Sequence, residues 1–200
     1  MLKQDSLYYF AYGSNMSNEV FIDRRKMNPV QKYNVVLGNY ELVFDQKGIQ
    51  YIEPCFASLR KKIGARVYGI LYELTPQDAE QLHKTESAGY DIEELEISVD
   101  GLGMKKCFTY INRDSCPGRK PSQRYMNKLI KGATEHSLPE TYLEELRAVE
   151  TFHLPIVSNF IDLIVRLLML YLSKGYKLKI PFLKSGAGKK PESPSEVINQ

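Results

Sequence analysis

Apolar and polar positions change period several times along the chain, and each change marks an element. Residues 8–12, Tyr8-Tyr9-Phe10-Ala11-Tyr12, are apolar and aromatic without interruption and predict a buried strand. The run breaks into Gly13-Ser14-Asn15, residue types suited to a tight turn. Residues 17–29 are polar and charged and predict a short helix or loop that stops before Pro29. The second half of residues 35–44 alternates as a strand does, with Gly38-Asn39 marking a bend or bulge. Lys47-Gly48 begins a turn, residues 55–60 form another strand, residues 60–64 a turn, and residues 66–74 a strong strand. Short strands divided by turns predict a twisted sheet or small barrel.

The period then becomes helical. Thr75 caps a helix and Pro76 fits its first position, with Ala79, Leu82 and Glu86 on one face. Residues 91–99 alternate, Asp100-Gly101 reads as a hairpin turn, and residues 104–111 pair back. A loop of turn residues covers 112–121. Tyr125, Met126, Leu129, Ile130 and Ala133 make one helical stripe. Ser137-Leu138-Pro139-Glu140 reads as a capping box for a second helix, whose inner side is Tyr142, Leu143, Leu146 and Val149.

Residues 156–172 are strongly apolar, with Asn159, Asp162 and Arg166 in a narrow polar stripe. Such a segment is short and charged for a transmembrane helix. It predicts a helix docked on the domain or in a homodimer interface. The lysine-rich stretch after it allows a second reading, peripheral contact of residues 156–190 with an anionic membrane surface. The organisation expected is a domain over 1–152, an apolar helix and basic extension over 153–183, and a disordered tail over 184–200. The fold class expected is α+β, a small twisted mixed barrel-like sheet with flanking helices and a C-terminal apolar helix.

Charge sharpens this division. The net charge is +3, yet residues 1–162 carry 20 basic and 22 acidic groups. The basic excess lies in the tail, so the body gives no argument for nucleic-acid binding. The three cysteines, Cys55, Cys107 and Cys116, lack a C-x-x-C spacing, and no leader-like stretch precedes them. They predict reduced thiols in a cytoplasmic protein. His83, His136 and His153 show no metal-ligand spacing, so no metal is expected.

Three features carry candidate chemistry. The Gly13-Ser14-Asn15 turn at a strand end can offer successive backbone N–H groups to an anion or a polarised carbonyl. Glu86 sits where the apolar face of its helix ends, near the negative end of the helix dipole, a setting suited to proton transfer or merely an exposed terminus. Arg24-Arg25-Lys26 reads as a solvated face, with recognition of a carboxylate as the other reading.

Residues 9–16, Tyr9-Phe10-Ala11-Tyr12-Gly13-Ser14-Asn15-Met16, resemble the N-terminal signature of the gamma-glutamylcyclotransferase family. Thr85-Glu86-Ser87, Gly89-Tyr90, Pro121-Ser122-Gln123-Arg124-Tyr125 and the stretch through Leu138-Pro139, Tyr142 and Leu146 resemble later family segments in the same order. The chain differs from the familiar pattern in Met16 after Asn15, a shorter connection between Glu86 and Tyr90, and its C-terminus. The resemblance implies cyclisation of a γ-glutamyl amino acid or amine to 5-oxoproline, with a small γ-glutamyl compound as partner and no cofactor. It implies Glu86 as general acid/base, Tyr9, Phe10, Ala11, Tyr12, Gly13 and Ser14 lining the substrate site, Asn15 supporting the loop, Tyr125 reaching the substrate, and Tyr90 near the reacting centre. The alternative is a catalytically silent binding or regulatory protein on the same fold.

Overall fold

The computed structural model describes residues 6–152 apart from positions 51, 87, 88 and 114. The apolar segment 156–172 and the basic tail expected above lie outside the described residues. No described helix is long and apolar enough to cross a membrane.

The described residues form the strands β1 (Leu7–Ala11), β2 (Gln31–Ile49), β3 (Glu53–Leu74), β4 (Tyr90–Val99) and β5 (Gly103–Asn112). They form one mixed sheet in the order β2-β3-β1-β5-β4. β1 takes the central place, and its consecutive residues Tyr9, Phe10 and Ala11 are all buried, so both of its faces are covered there. It runs antiparallel to β3, Leu7 opposite Leu74 and Ala11 opposite Ile70, and parallel to β5 at Tyr9 and Phe108. Gly69 on β3 permits this packing: a Cβ there would stand 2.4 Å from the Ala11 carbonyl oxygen and 2.6 Å from the Phe10 ring. The sheet curls until its edges meet, so that the Tyr40 hydroxyl of β2 donates to Glu93 of β4 at 3.3 Å. The barrel-like α+β architecture expected from the pattern is present in the described residues.

Two local expectations change. Residues 60–64 are not a turn between strands but an arch within β3, opposite Asn39 of β2. Asn39 and Gly64 both have positive φ, 60° and 79°, and Asn39 Oδ1 accepts the Gly64 N–H at 3.0 Å. Lys47-Gly48 likewise stays in β2, and the chain turns after Ile49.

Among the described residues three α-helices flank the sheet: α1 (Pro76–Glu86), α2 (Gln123–Glu135) and α3 (Glu140–Arg147). Thr75 Oγ1 accepts the Asp78 N–H at 3.1 Å and starts α1 as expected. Ser122 caps α2 in the same way, accepting the Tyr125 N–H at 3.0 Å. The capping box expected for α3 does not form: Ser137 has φ 51°, Pro139 is the N-cap, and no side chain caps the helix. The chain must reverse between α2 and α3 within a few residues, and Ser137 makes that reversal. Gly132 lets α2 lie directly on the segment after β1, since a Cβ there would stand 2.6 Å from the Ser17 nitrogen and 2.7 Å from the Met16 carbonyl carbon.

Candidate active site

Beyond β1 the chain passes Gly13, makes a 3-10 turn over Ser14–Met16, and enters a π-helical turn over Glu19–Arg24. The 3-10 turn closes on itself, Met16 N–H to the Gly13 carbonyl at 3.0 Å and Ser17 N–H to the Ser14 carbonyl at 3.1 Å. Two buried side chains clamp it from below. The Tyr72 hydroxyl donates to the Asn15 carbonyl at 3.2 Å, and His136 Nε2 lies 3.0 Å from the Met16 carbonyl. Phe21 stacks on Tyr72 at 4.2 Å between ring centroids and is fully buried, which contributes roughly 1.5–3 kcal/mol to holding this segment down.

The clamp has a pH signature. Burial, and then Lys32, hold the His136 pKa below its ordinary value, against the Met16 hydrogen bond and Glu135. A histidine whose folded pKa is depressed gives stability that is complete above its unfolded pKa, about 6.5, and is lost as pH falls toward the folded value. The urea midpoint is therefore expected to drop between about pH 7 and pH 5. Glutamine at 136 keeps an N–H donor without the titration, so the drop should be smaller in His136→Gln. An equal drop in both proteins would remove His136 as its source.

With the turn fixed, Asn15 becomes a bridge. Its Nδ2 donates to the Tyr9 hydroxyl at 2.9 Å and to Glu86 Oε1 at 3.0 Å. Glu86 reaches this point from the last turn of α1. Arg25, which follows the π-helical turn, comes within 2.6 Å of the same Oε1 through Nη2. Nη1 of Arg25 donates to Thr85 Oγ1 at 2.5 Å, and its carbonyl accepts from Gln81 Nε2 at 2.9 Å. The side chains are only 22% (Arg25) and 13% (Glu86) exposed, so the pair is largely removed from water.

These groups form one wall of a cavity of about 240 Å³. Of the positions singled out in the sequence, Tyr9, Tyr12, Gly13, Ser14, Asn15, Glu86, Tyr90 and Tyr125 all line it. Phe10 and Ala11 do not: both are fully buried in the core, where Phe10 packs against Gly69 and Tyr12. Alternation along β1 turns Phe10 to the face opposite Tyr9.

The cavity also takes in residues not singled out as site residues: Arg25, Gln46, Lys47, Phe56, Ala57 and Tyr110. The Tyr125 hydroxyl accepts the Ala57 N–H at 3.1 Å, and the Tyr12 hydroxyl donates to the Tyr110 carbonyl. A Cβ on Gly13 would come within 3.3 Å of the Tyr125 hydroxyl, so the turn and α2 meet here at close range. Burial pushes the phenols of Tyr12, Tyr90, Tyr110 and Tyr125 up, and burial with the Glu86 charge next does so for Tyr9. All five stay neutral hydroxyls, able to donate hydrogen bonds, at any ordinary pH. Several lining residues hold buried polar atoms without a partner among the described residues: Asn15 Oδ1, Arg25 Nε, Gln46 Oε1 and the Tyr110 hydroxyl. Buried polar atoms are ordinarily hydrogen-bonded, so these four are free to take a water or a polar ligand. Among the described residues, no three histidine, cysteine, aspartate or glutamate side chains stand together as metal ligands.

Comparison with known proteins bears on the same segments. A model of the AIG2-like family matches residues 66–146, from β3 through α3. A gamma-glutamyl cyclotransferase of Claviceps purpurea is 29% identical over 143 residues, 66% of this chain and 64% of that protein. The match thus spans a little less than two thirds of that relative's length. Human gamma-glutamylcyclotransferase is 29% identical over 157 residues, 74% of this chain and 80% of that protein. A solved gamma-glutamyl cyclotransferase structure superposes with a TM-score of 0.64 at 25% identity, covering 81% of this chain and 99% of that one. In fold and in sequence the chain is thus similar to gamma-glutamylcyclotransferases, and over residues 66–146 to the AIG2-like family.

Proposed function

We propose that the protein cyclises the γ-glutamyl group of a γ-glutamyl amino acid or amine to 5-oxoproline and releases the amine. The observation that carries this reading is one desolvated carboxylate, Glu86, held by Arg25 and Asn15 in the wall of a phenol-lined cavity beside the Gly13-Ser14 backbone. That inventory suits a reaction whose nucleophile and electrophile belong to the same molecule. The substrate's α-amine attacks its own γ-carbonyl, so the protein supplies orientation and proton transfer. Holding the chain folded in a near-attack geometry is worth up to roughly 7–11 kcal/mol in favourable intramolecular cases.

The backbone of Gly13 and Ser14 holds the γ-glutamyl group and faces the oxygen that becomes negative as the amine attacks. The neutral phenols of Tyr125 and Tyr110 can add donors there. Arg25 keeps Nε for the substrate's α-carboxylate while its Nη2 holds Glu86. Glu86 accepts a proton from the α-ammonium and frees the amine. The new C–N bond closes the five-membered ring. As the old C–N bond breaks, Glu86 returns the proton to the departing nitrogen. The second proton lost by the ring nitrogen follows the same route, so the leaving group departs as an ammonium and Glu86 ends as a carboxylate. Transfer by a positioned carboxyl contributes typically about 10²–10⁴-fold.

Mass spectrometry for 5-oxoproline, against a panel of γ-glutamyl dipeptides, γ-glutamylamines and glutathione, tests the reading. Release of 5-oxoproline with an equimolar amine is expected from at least one class. No product from any of them would leave a binding protein on this fold.

A further inference from the structure

Asp45 and Gln46 are neighbours in β2 and both are buried, where the strand is irregular between Val43 and Gln46. Asp45 is well satisfied. Its carboxylate takes Arg60 at 2.7 Å, Asn112 at 2.9 Å and the Ser115 hydroxyl at 2.6 Å, and its carbonyl accepts the Cys116 N–H at 2.7 Å. The Gln46 backbone is held on two sides, paired with Phe56 of β3 and bridged to Ser115. Gln46 is 8% exposed and lines the cavity, yet its buried Oε1 has no partner among the described residues. The other end of the amide rests on Gly89: a Cβ there would stand 3.0 Å from Gln46 Nε2. Gly89 lies in the short connection from Glu86 to Tyr90, and its N–H reaches the Glu86 carbonyl at 3.4 Å. The amide thus sits between β2 and the segment that carries the proposed acid/base.

A buried amide oxygen without a partner lowers stability, and an apolar residue of similar length would not carry that cost. Glutamine at this place is therefore explained by what it binds rather than by what it holds up. Oε1 can only accept, so it selects an N–H. A γ-glutamyl compound offers N–H at two nitrogens, the α-ammonium and the departing amine, and none at its carboxylate or carbonyl oxygens. We infer that Gln46 is a further substrate-contacting residue, whose Oε1 accepts an N–H from one of these two nitrogens and so holds it for proton exchange with Glu86. This inference rests on the cyclotransferase reading above.

Gln46→Met keeps the length of the side chain and deletes the acceptor. With γ-glutamyl-alanine and γ-glutamyl-ethylamide as substrates, each of which carries both nitrogens, KM should rise about tenfold for both, the scale of one lost hydrogen bond to a ligand. The melting temperature should hold or rise, because the variant no longer buries an unpartnered acceptor. A lower melting temperature with KM kept would mean that Gln46 only packs, and would overturn the inference. Added 5-oxoproline tells the two nitrogens apart, since it retains the α-nitrogen as a ring N–H and lacks the departing one. An inhibition constant weakened in step with KM assigns Oε1 to the α-nitrogen, and one left unchanged assigns it to the departing nitrogen. Gly89→Ala, which crowds Nε2 from the other side, should raise KM alone and add little in the Gln46→Met background. An unchanged KM for both substrates in Gln46→Met would overturn the inference and leave the cyclotransferase reading standing. No 5-oxoproline from either compound with the wild-type protein would overturn both.

Discussion

Glu86→Gln is expected to lose about 10²–10⁴-fold in kcat while binding a γ-glutamyl substrate nearly as well as the wild type. Glutamine has the size of glutamate and can still meet Asn15, but it cannot carry a proton between two nitrogens. It also leaves the Arg25 guanidinium, 22% exposed, without its counter-charge. Losing a hydrogen bond between charged groups of this kind costs about 1.5–3 kcal/mol of stability. Urea unfolding and calorimetric titration with substrate separate the stability cost from the catalytic one. Substantial 5-oxoproline production by the variant would remove Glu86 from the mechanism.

Arg25→Met should show the opposite emphasis. It removes the cation and leaves the Glu86 carboxylate, 13% exposed, facing the cavity with Asn15 as its remaining partner among the described contacts. Breaking a fully buried pair by deleting one member costs about 3–5 kcal/mol, and the residual exposure here reduces that to about 2–3 kcal/mol. The proposed contact of Nε with the α-carboxylate disappears with it, so KM should rise at least about tenfold, the scale of one lost charge-assisted bond. A KM unchanged from the wild type, in a variant whose urea midpoint has fallen, would restrict Arg25 to holding Glu86.

That Arg25 stands at the centre of the site, while its cluster reads in sequence as a solvated face, shows which part of the molecule local pattern can reach. The strand and turn around Tyr9 and Gly13, the Thr75 cap, the bulge at Asn39 and the 91–111 hairpin all follow from neighbours a few positions apart. Each is a local preference that the fold leaves in place. Arg25 meets Glu86 across 61 positions only after the π-helical turn has been packed by Phe21 against Tyr72. No spacing rule joins two such charges. Misread turns have a related cause. Gly64 has the composition of a hairpin turn, but the same positive φ serves an arch inside a strand, and the partner strand decides between them. Ser137-x-x-Glu140 has the letters of a capping box, yet the reversal out of α2 takes Ser137 for itself. Gln46 and Lys47 were hidden differently: the pattern ends the strand near Phe44 and reads Lys47-Gly48 as a turn, whereas β2 runs on past an irregularity after Val43 to Ile49.

Gly132 has a consequence for engineering this protein. A glycine in the middle of a helix is an obvious target for thermostabilisation, since alanine there ordinarily gains about 1 kcal/mol from helix propensity. Here the added methyl would press on the backbone of Met16 and Ser17 at 2.6–2.7 Å, and overpacking of that kind costs typically about 1–3 kcal/mol. Gly132→Ala is expected to lower the melting temperature and, by lifting the turn that carries Asn15, to lower turnover as well. Libraries that score helices by propensity alone would therefore accumulate inactive variants at this position, and selection for heat resistance and selection for activity should both return glycine.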